Sequence, residues 1–484
     1  MNVLFITLDQ FRADSLGCAG HPLVRTPNLD RLAREGVRLA RHYSQAAPCG
    51  PGRAALYTGT YQSNNRVVYN GTPLASGFDN VAKAARRAGY DPTLFGYTDQ
   101  AIDPWRADSW DDPRLDTYCG VLEGFTVGCH VPDDQGPWVA FLREQGYDVS
   151  DDGIESLRNE ASRPAEHSLS TFLTDEFLGW LDRQESGWFA HLSYLRPHPP
   201  YNAAGIYSTM YDPADVPLPI EPIPYEERHY IHKGASKEAS SRAPEDEAGR
   251  RAMRAQYYGM ISEVDAQLGR VFAGIEARGE WDDTVVVVTA DHGDQLGDHG
   301  LKEKLGFFPQ SYAILGLWRD PRFPERAGRV VESFTENVDF LPTLAEVMGL
   351  EAPVQCDGRV LTPLLDGLEV PWRTSVHYEW DFRGLLLRGV NSYWPHDRSL
   401  AQCNLATTLT DDWAYVHFGD GTSLLFDLRK DPSWRTTSDD ATLLYAGATS
   451  QLQWRQTHLQ RGFTEMLVAP DRPGRWPEVP ALRR

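Results

Sequence analysis

The chain has 484 residues, an apolar fraction of 41% and a net charge of −21. That length buries a large core and predicts one big domain with a smaller one attached. The acidic balance argues against a nucleic-acid or anionic-membrane partner, although a metal and a few cations can reverse the field inside a cleft.

Six cysteines stand at positions 18, 49, 119, 129, 356 and 403. No Cys-x-x-Cys pair occurs, so a zinc or redox framework is not expected, and scattered thiols fit a reducing compartment. The opening run is too short for a signal h-region and lacks a basic leader. No stretch approaches the roughly 20 apolar residues of a spanning helix. We expect a soluble, cytoplasmic protein with no membrane partner.

Asn2–Leu8 is a β-branched and aromatic run, as in a buried parallel strand, and it ends at Asp9. Leu29, Leu32 and Val37 then suit a helix face, with Gly36 at its end. Residues 51–57 predict a second helix with Pro51 near its first turn, and 81–88 a third, closed by Gly89. A short strand at 93–95 ends at Gly96-Tyr97. Residues 99–165, rich in Asp, Pro, Gly and Trp, read as an irregular excursion. A helix at 168–182 and a central strand at 188–194 follow. A Pro-rich loop runs from Arg196 to about Pro224, and the polar stretch 233–250 is expected to be exposed and mobile. Residues 253–278 form a long helix, and 284–290 are the clearest buried strand, ending at Asp291.

Strands alternating with helices predict an α/β fold: a large, mostly parallel mixed sheet flanked by helices. Around Pro371 the pattern shifts. Trp413–Phe418, a Gly419-Asp420-Gly421 turn and residues 423–428 predict a hairpin. We place the catalytic domain at 1–370 and a smaller antiparallel α+β domain at 371–484, its last dozen residues an extended tail.

Ligands collect at the carboxyl edge of parallel strands, so Asp9 and Asp291 can meet in one cleft although far apart in sequence. His292 adds a nitrogen ligand. Asp291-His292-Gly293 with Asp298-His299-Gly300 strengthens the metal reading over a strand-end cap. An oxygen-rich site with one imidazole suits one hard divalent cation, Mn²⁺ before Ca²⁺ or Mg²⁺. Cys49-Gly50-Pro51-Gly52-Arg53 fits Cys-x-Pro-x-Arg, the pattern at which a cysteine is oxidised to formylglycine. The hydrated aldehyde is a geminal diol, a nucleophile that no standard side chain offers. Cys49 precedes a predicted helix, whose N-terminus lowers the pKa of a thiol or diol. An ordinary buried cysteine and a thiol-protease nucleophile are the other readings of this residue, the latter without a motif for its His partner.

With these motifs the chain resembles the formylglycine-dependent sulfatase branch of the alkaline phosphatase superfamily. The likeness runs nearly full length, through Asp9, Thr26-Pro27-Asn28-Leu29-Asp30, Cys49–Arg53, Leu56-Tyr57-Thr58-Gly59, Asp291–Gly300 and Leu425-Phe426-Asp427-Leu428. Within that branch it most resembles the phosphonate monoester hydrolases, which also cleave phosphodiesters. Gln10 after Asp9, Asn70-Gly71-Thr72-Pro73-Leu74, Tyr97 where sulfatases usually have lysine, and His292 after Asp291 point there.

The resemblance implies metal ligation by Asp9, Asp291, His292 and the modified Cys49. It implies that Asn70, Tyr97, His198 and Lys304 line the substrate, with Gln10 beside the metal. Lys302 competes with Lys304 for its role. His198 would protonate the leaving group, and Arg53 would hold and polarise the diol. The route is a covalent hemiacetal that collapses as the aldehyde reforms. Phosphonate monoesters and phosphodiesters are the expected small-molecule substrates, with promiscuity toward sulfate monoesters. A formylglycine-generating enzyme is the implied maturation partner, and a homo-dimer or homo-tetramer the implied assembly. Asp99 departs from the expected neutral or basic residue; a carboxylate there repels an anionic substrate unless it is paired or points away. An aryl- or alkyl-sulfatase, a two-metal phosphatase or phosphomutase, and a non-catalytic binding protein on the same scaffold are the alternatives.

Overall fold

The structure is a computed structural model that describes residues 1–384 and 398–459, and the backbone of 466–469 and 472–475. The main sheet contains β1 (Asn2–Leu8), β2 (Val37–Tyr43), β4 (Pro92–Gly96), β5 (Thr126–His130), β6 (Phe189–Tyr194), β7 (Thr284–Thr289), β8 (Ala313–Ile314), β9 (Gly316–Arg319) and β10 (Arg329–Glu336). Its order is β10-β2-β9-β7-β1-β6-β4-β5, with β8 joined to β2. From β7 to β5 every neighbour is parallel, while β9 runs antiparallel to β7 and β2.

Every residue of β1 and β7 is buried. Both faces of these strands are covered, which is why they read as unbroken apolar runs rather than alternating ones. Leu4, Ile6 and Leu8 pack with Val286 and Val288 against Met260, Ile261, Val264 and Leu268 of the helix Glu247–Ala277. Val3 and Phe5 point the other way, with Val285 and Val287. They meet Leu56 and Tyr57 of the helix Cys49–Thr58 and Phe340 and Leu341 of the helix Phe340–Val347.

The second sheet is β14-β13-β12-β11-β3, built from β3 (Ala46–Ala47), β11 (Val376–Asp381), β12 (Asn404–Leu409), β13 (Trp413–Phe418) and β14 (Ser423–Asp427). β13 and β14 pair antiparallel, as expected of the hairpin. The strand β3 comes from the front of the chain and pairs in parallel with β11, Ala47 opposite Trp380. The C-terminal sheet therefore grips the chain two residues before Cys49. Met466–Ala469 and Arg472–Arg475 form a small antiparallel ribbon, and the tail expected beyond it lies outside the described residues.

Two expectations are corrected. The 99–165 excursion contains β5 and the helices Gly136–Glu144 and Gly153–Arg158, and Trp138, Leu142 and Leu157 join the core. The 233–250 stretch is not free of the body: Ser241 and Ala243 are buried. Ala243 N–H donates to the Gly300 carbonyl at 3.1 Å, and Lys302 N–H to that of Ser241 at 2.7 Å. Backbone pairing holds this stretch where its few apolar side chains could not.

Candidate active site

β7, β1, β6 and β4 lie side by side and open their carboxyl ends on one edge. β1 delivers Asp9 and Gln10, β7 delivers Asp291 and His292, β6 leads to Arg196 and His198, and β4 leads to Tyr97 and Asp99. At that turn Gln10 takes a left-handed φ of 68° and donates its N–H to Asp291 Oδ1 at 3.1 Å. A strained backbone held by a buried hydrogen bond fits a site whose geometry is over-determined.

Cys49 opens the helix Cys49–Thr58, and all residues of that helix are buried. Gly52 permits the approach, since a Cβ there would lie 2.5 Å from the Asp291 carbonyl oxygen. Gly50 N–H donates to Asn70 Oδ1 at 2.8 Å, which pins Asn70 to the first turn of the helix.

Ligand atoms of Asp9, Cys49, Asp291 and His292 all lie within 4.8 Å of one another, and all four residues are buried. His292 Nε2 is 3.2 Å from Cys49 Sγ, 4.0 Å from Asp9 Oδ1 and 3.8 Å from Asp291 Oδ2. Its Nδ1 faces the Gly293 carbonyl at 3.0 Å, which fixes the hydrogen on Nδ1 and leaves Nε2 a lone pair. Burial, and then the charge of Lys304, lowers its pKa to about 3, so the imidazole is neutral. Asp9 Oδ1 is buried without a hydrogen-bond partner. Its other oxygen, Oδ2, receives both Tyr97 Oη at 2.5 Å and Arg53 Nη2 at 3.2 Å. A bare carboxylate oxygen, a second carboxylate and an imidazole lone pair converging on Cys49 fit one divalent cation.

Arg53 has a fully buried side chain. It donates to Asp291 Oδ2 at 2.9 Å, to Ser193 Oγ at 2.7 Å and to the Tyr97 carbonyl at 3.0 Å, and it stacks 4.2 Å from the Tyr97 ring centre. Arg53 therefore ties the carboxylates of Asp9 and Asp291 together. The cause is reach, since a guanidinium one helical turn along points past Cys49 to the strand ends. Burial raises the Asp9 carboxyl, but the charged groups around it, with Arg53 and Lys304 as the cations, outweigh burial and hold Asp9 well below the usual range. Asp291 goes the other way, raised by burial and then by Asp9. The Cys49 thiol is also pushed up, by burial first and by Asp9 next, against the lowering expected from a helix N-terminus. Burial, with two carboxylates close by, outweighs a half-charge helix end, and a divalent cation among them would oppose that balance.

The sulfatase family profile matches residues 1–350. The chain belongs to the sulfatase family. It is 38% identical to the multifunctional alkaline phosphatase superfamily protein PehA of Trinickia caryophylli, over 97% of this chain and 98% of that one. The phosphonate monoester hydrolase of Agrobacterium radiobacter superposes with a TM-score of 0.88 at 37% identity, over 99% of this chain and 100% of that one. The phosphonate monoester hydrolase SpPMH of Silicibacter pomeroyi gives 0.87 at 32%, over 98% and 99%. Sulfatase-family proteins act as ester hydrolases and use a metal ion with formylglycine.

Beside these carboxylates, Lys304 Nζ lies 2.7 Å from His198 Nε2 and donates to Gln10 Oε1 at 3.0 Å. Lys304, not Lys302, reaches the centre; Lys302 stays half-buried, its N–H on the Ser241 carbonyl. His198 Nδ1 faces the Pro199 carbonyl at 2.7 Å. Its pKa is lowered to about 3 by desolvation and then by Lys304. The dissociable proton of the pair thus rests on Lys304, whose pKa the surrounding negative groups raise against burial. Tyr97, which the resemblance places along the substrate, commits its hydroxyl to Asp9. Asp99 is paired: Arg53 Nε stands 3.8 Å from Oδ2 and the Cys119 thiol 2.9 Å from Oδ1. Burial pushes its pKa up to about 7 despite Arg53.

Asp294 and Ser193 escaped sequence reasoning. Asp294 Oδ2 accepts from Gln10 Nε2 at 2.6 Å and Tyr201 Oη at 2.8 Å, so the Gln10 carbonyl must face Lys304. Its signal was its place three residues after Asp291. Ser193, at the end of a strand, offered none. Among the described residues no helix is long and apolar enough to cross a membrane.

Proposed function

We propose that this sulfatase-family hydrolase cleaves phosphonate monoesters and phosphodiesters, with a nucleophile made from Cys49 and a weaker activity on sulfate monoesters. The full-length likeness to two phosphonate monoester hydrolases carries the reading. Charge supports it: buried Asp9, Asp291 and Asp99 stand against Arg53 and Lys304. A site so rich in carboxylates suits an ester of one negative charge better than a phosphate monoester dianion.

When bound, the divalent cation supplies Lewis acidity, and the hydrated aldehyde at position 49 supplies the attacking oxygen. Lys304 places an ammonium where charge develops on the reacting centre. Its Nζ stands within hydrogen-bond reach of His198 Nε2, so the pair holds the proton that the leaving group takes. The His198 ring is steadied by its Nδ1–H to Pro199, and Gln10, fixed by Asp294, accepts from Lys304 and aims it.

Of the metals, Mn²⁺ suits the mixed oxygen and imidazole donors best. A cytoplasmic location is supported by the free state of the described cysteines. Self-association is supported by the exposed Tyr445 (75%) and Leu452 (60%) on the helix Ala441–Thr457. Maturation by a formylglycine-generating enzyme follows from Cys49–Arg53.

The test is a panel of 4-nitrophenyl esters on purified, metal-loaded enzyme. We expect kcat/KM for the phenylphosphonate and the phosphodiester to exceed that for the sulfate by about 10-fold or more. Faster turnover of the aryl sulfate would overturn the reading in favour of a sulfatase.

A further inference from the structure

His198 sits on the Pro-rich loop that follows β6, and one buried guanidinium gathers that loop. Arg196 Nη1 donates to the carbonyls of His198 at 2.9 Å and Pro200 at 3.1 Å, and Nη2 to that of Asn202 at 3.2 Å. Nη2 also pairs with Glu160 Oε2, and both side chains are fully buried. Glu160 is itself fixed, because Oε1 accepts the Leu169 N–H at 2.9 Å at the start of the helix Leu169–Leu181. Glu263 of the long helix lies close enough that the charge of Glu160 adds to burial in raising its pKa to about 7. The Arg196–Glu160 pair thus stands between the interior and the back of the loop whose front is His198.

A buried ion pair is weak evidence for stability, since desolvation opposes its attraction. Its worth here is geometric. Three carbonyls bent onto one planar fork leave the loop from 198 to 202 little freedom. We propose that Arg196, oriented by Glu160, is the positioning residue that sets His198 against the leaving group. The inference rests on the reading of the Lys304–His198 pair as proton donor. It assigns a role to Glu160, which comes from the excursion that looked irregular.

A displaced general acid harms poor leaving groups far more than good ones, because only the former need the proton. The test compares kcat/KM for the 4-nitrophenyl and phenyl esters of one acid, on full-length, metal-loaded enzyme. Wild type is set against E160Q, R196K and H198A. The account expects E160Q and R196K to lose about 10-fold or more on the phenyl ester and less than about 3-fold on the 4-nitrophenyl ester. H198A should show the same selectivity with a larger loss. Should R196K not fold, the near-isosteric E160Q decides alone. Equal losses on both esters, or no loss, overturn the clamp. If H198A is selective and the other two are not, the clamp alone falls. If H198A is itself unselective, the proton-donor reading falls and takes the clamp with it.

Discussion

Replacing Cys49 by Ala lowers kcat/KM by at least about 10⁴-fold while the protein stays folded. The side chain is 3% exposed and sits on the first turn of a buried helix, where Ala is well tolerated. Losing one sulfur atom leaves a small void, so the stability cost is about 1 kcal/mol. What the variant lacks is any atom able to become the attacking oxygen at the point where Asp9, Asp291 and His292 converge. Thermal unfolding should shift by a few degrees at most. Steady-state turnover then separates chemistry from folding. Near-wild-type activity in a folded C49A protein would remove the nucleophile from the account.

Arg53→Ala should cost about 3–5 kcal/mol of stability, as expected when one partner of a buried charge pair is removed. The guanidinium stands 2.9 Å from Asp291, 3.2 Å from Asp9 and 3.8 Å from Asp99, with no exposed surface. Without it burial is the largest influence left on these carboxylates, and their folded-state pKa values rise above the unfolded ones of about 4. A raised carboxyl adds no penalty below its unfolded pKa, and the penalty grows as pH climbs toward the folded value. In chelator, R53A should therefore lose more stability than wild type between pH 5 and pH 8. Added Mn²⁺ should restore part of it, since binding to the folded state stabilises that state. Urea unfolding at both pH values reads the effect. A loss under about 1 kcal/mol with no change in pH dependence would contradict the electrostatic role assigned to Arg53.

The frame of the site was legible because it lies where elements change. Asp9 and Asp291 follow runs such as Val285-Val286-Val287-Val288 that have no reading except a strand covered on both faces. Cys49, Arg53 and His292 carried motif spacing. The partners of Arg53 were not legible, since Ser193 and the Tyr97 carbonyl come from other strands and no local pattern marks a backbone oxygen as an acceptor. Glu160 was hidden by its setting: it opens a single 3₁₀ turn, Glu160–Ser162, too short for any periodicity to mark. β3 is too short for periodicity to register, although it ties the chain just before Cys49 to the second sheet. The direction of the Cys49 shift was misjudged because a helix end is visible in sequence, while the crowding of Asp9 and Asp291 is a property of the fold.

The central claim is that the attacking oxygen at position 49 comes from an aldehyde made from the thiol. Mass spectrometry of the peptide spanning Cys49, taken from preparations of graded specific activity, tests it most directly. The account predicts that the fraction with sulfur replaced by a carbonyl oxygen rises in proportion to activity. Fully active protein in which every copy of that peptide retains an unmodified cysteine would contradict it.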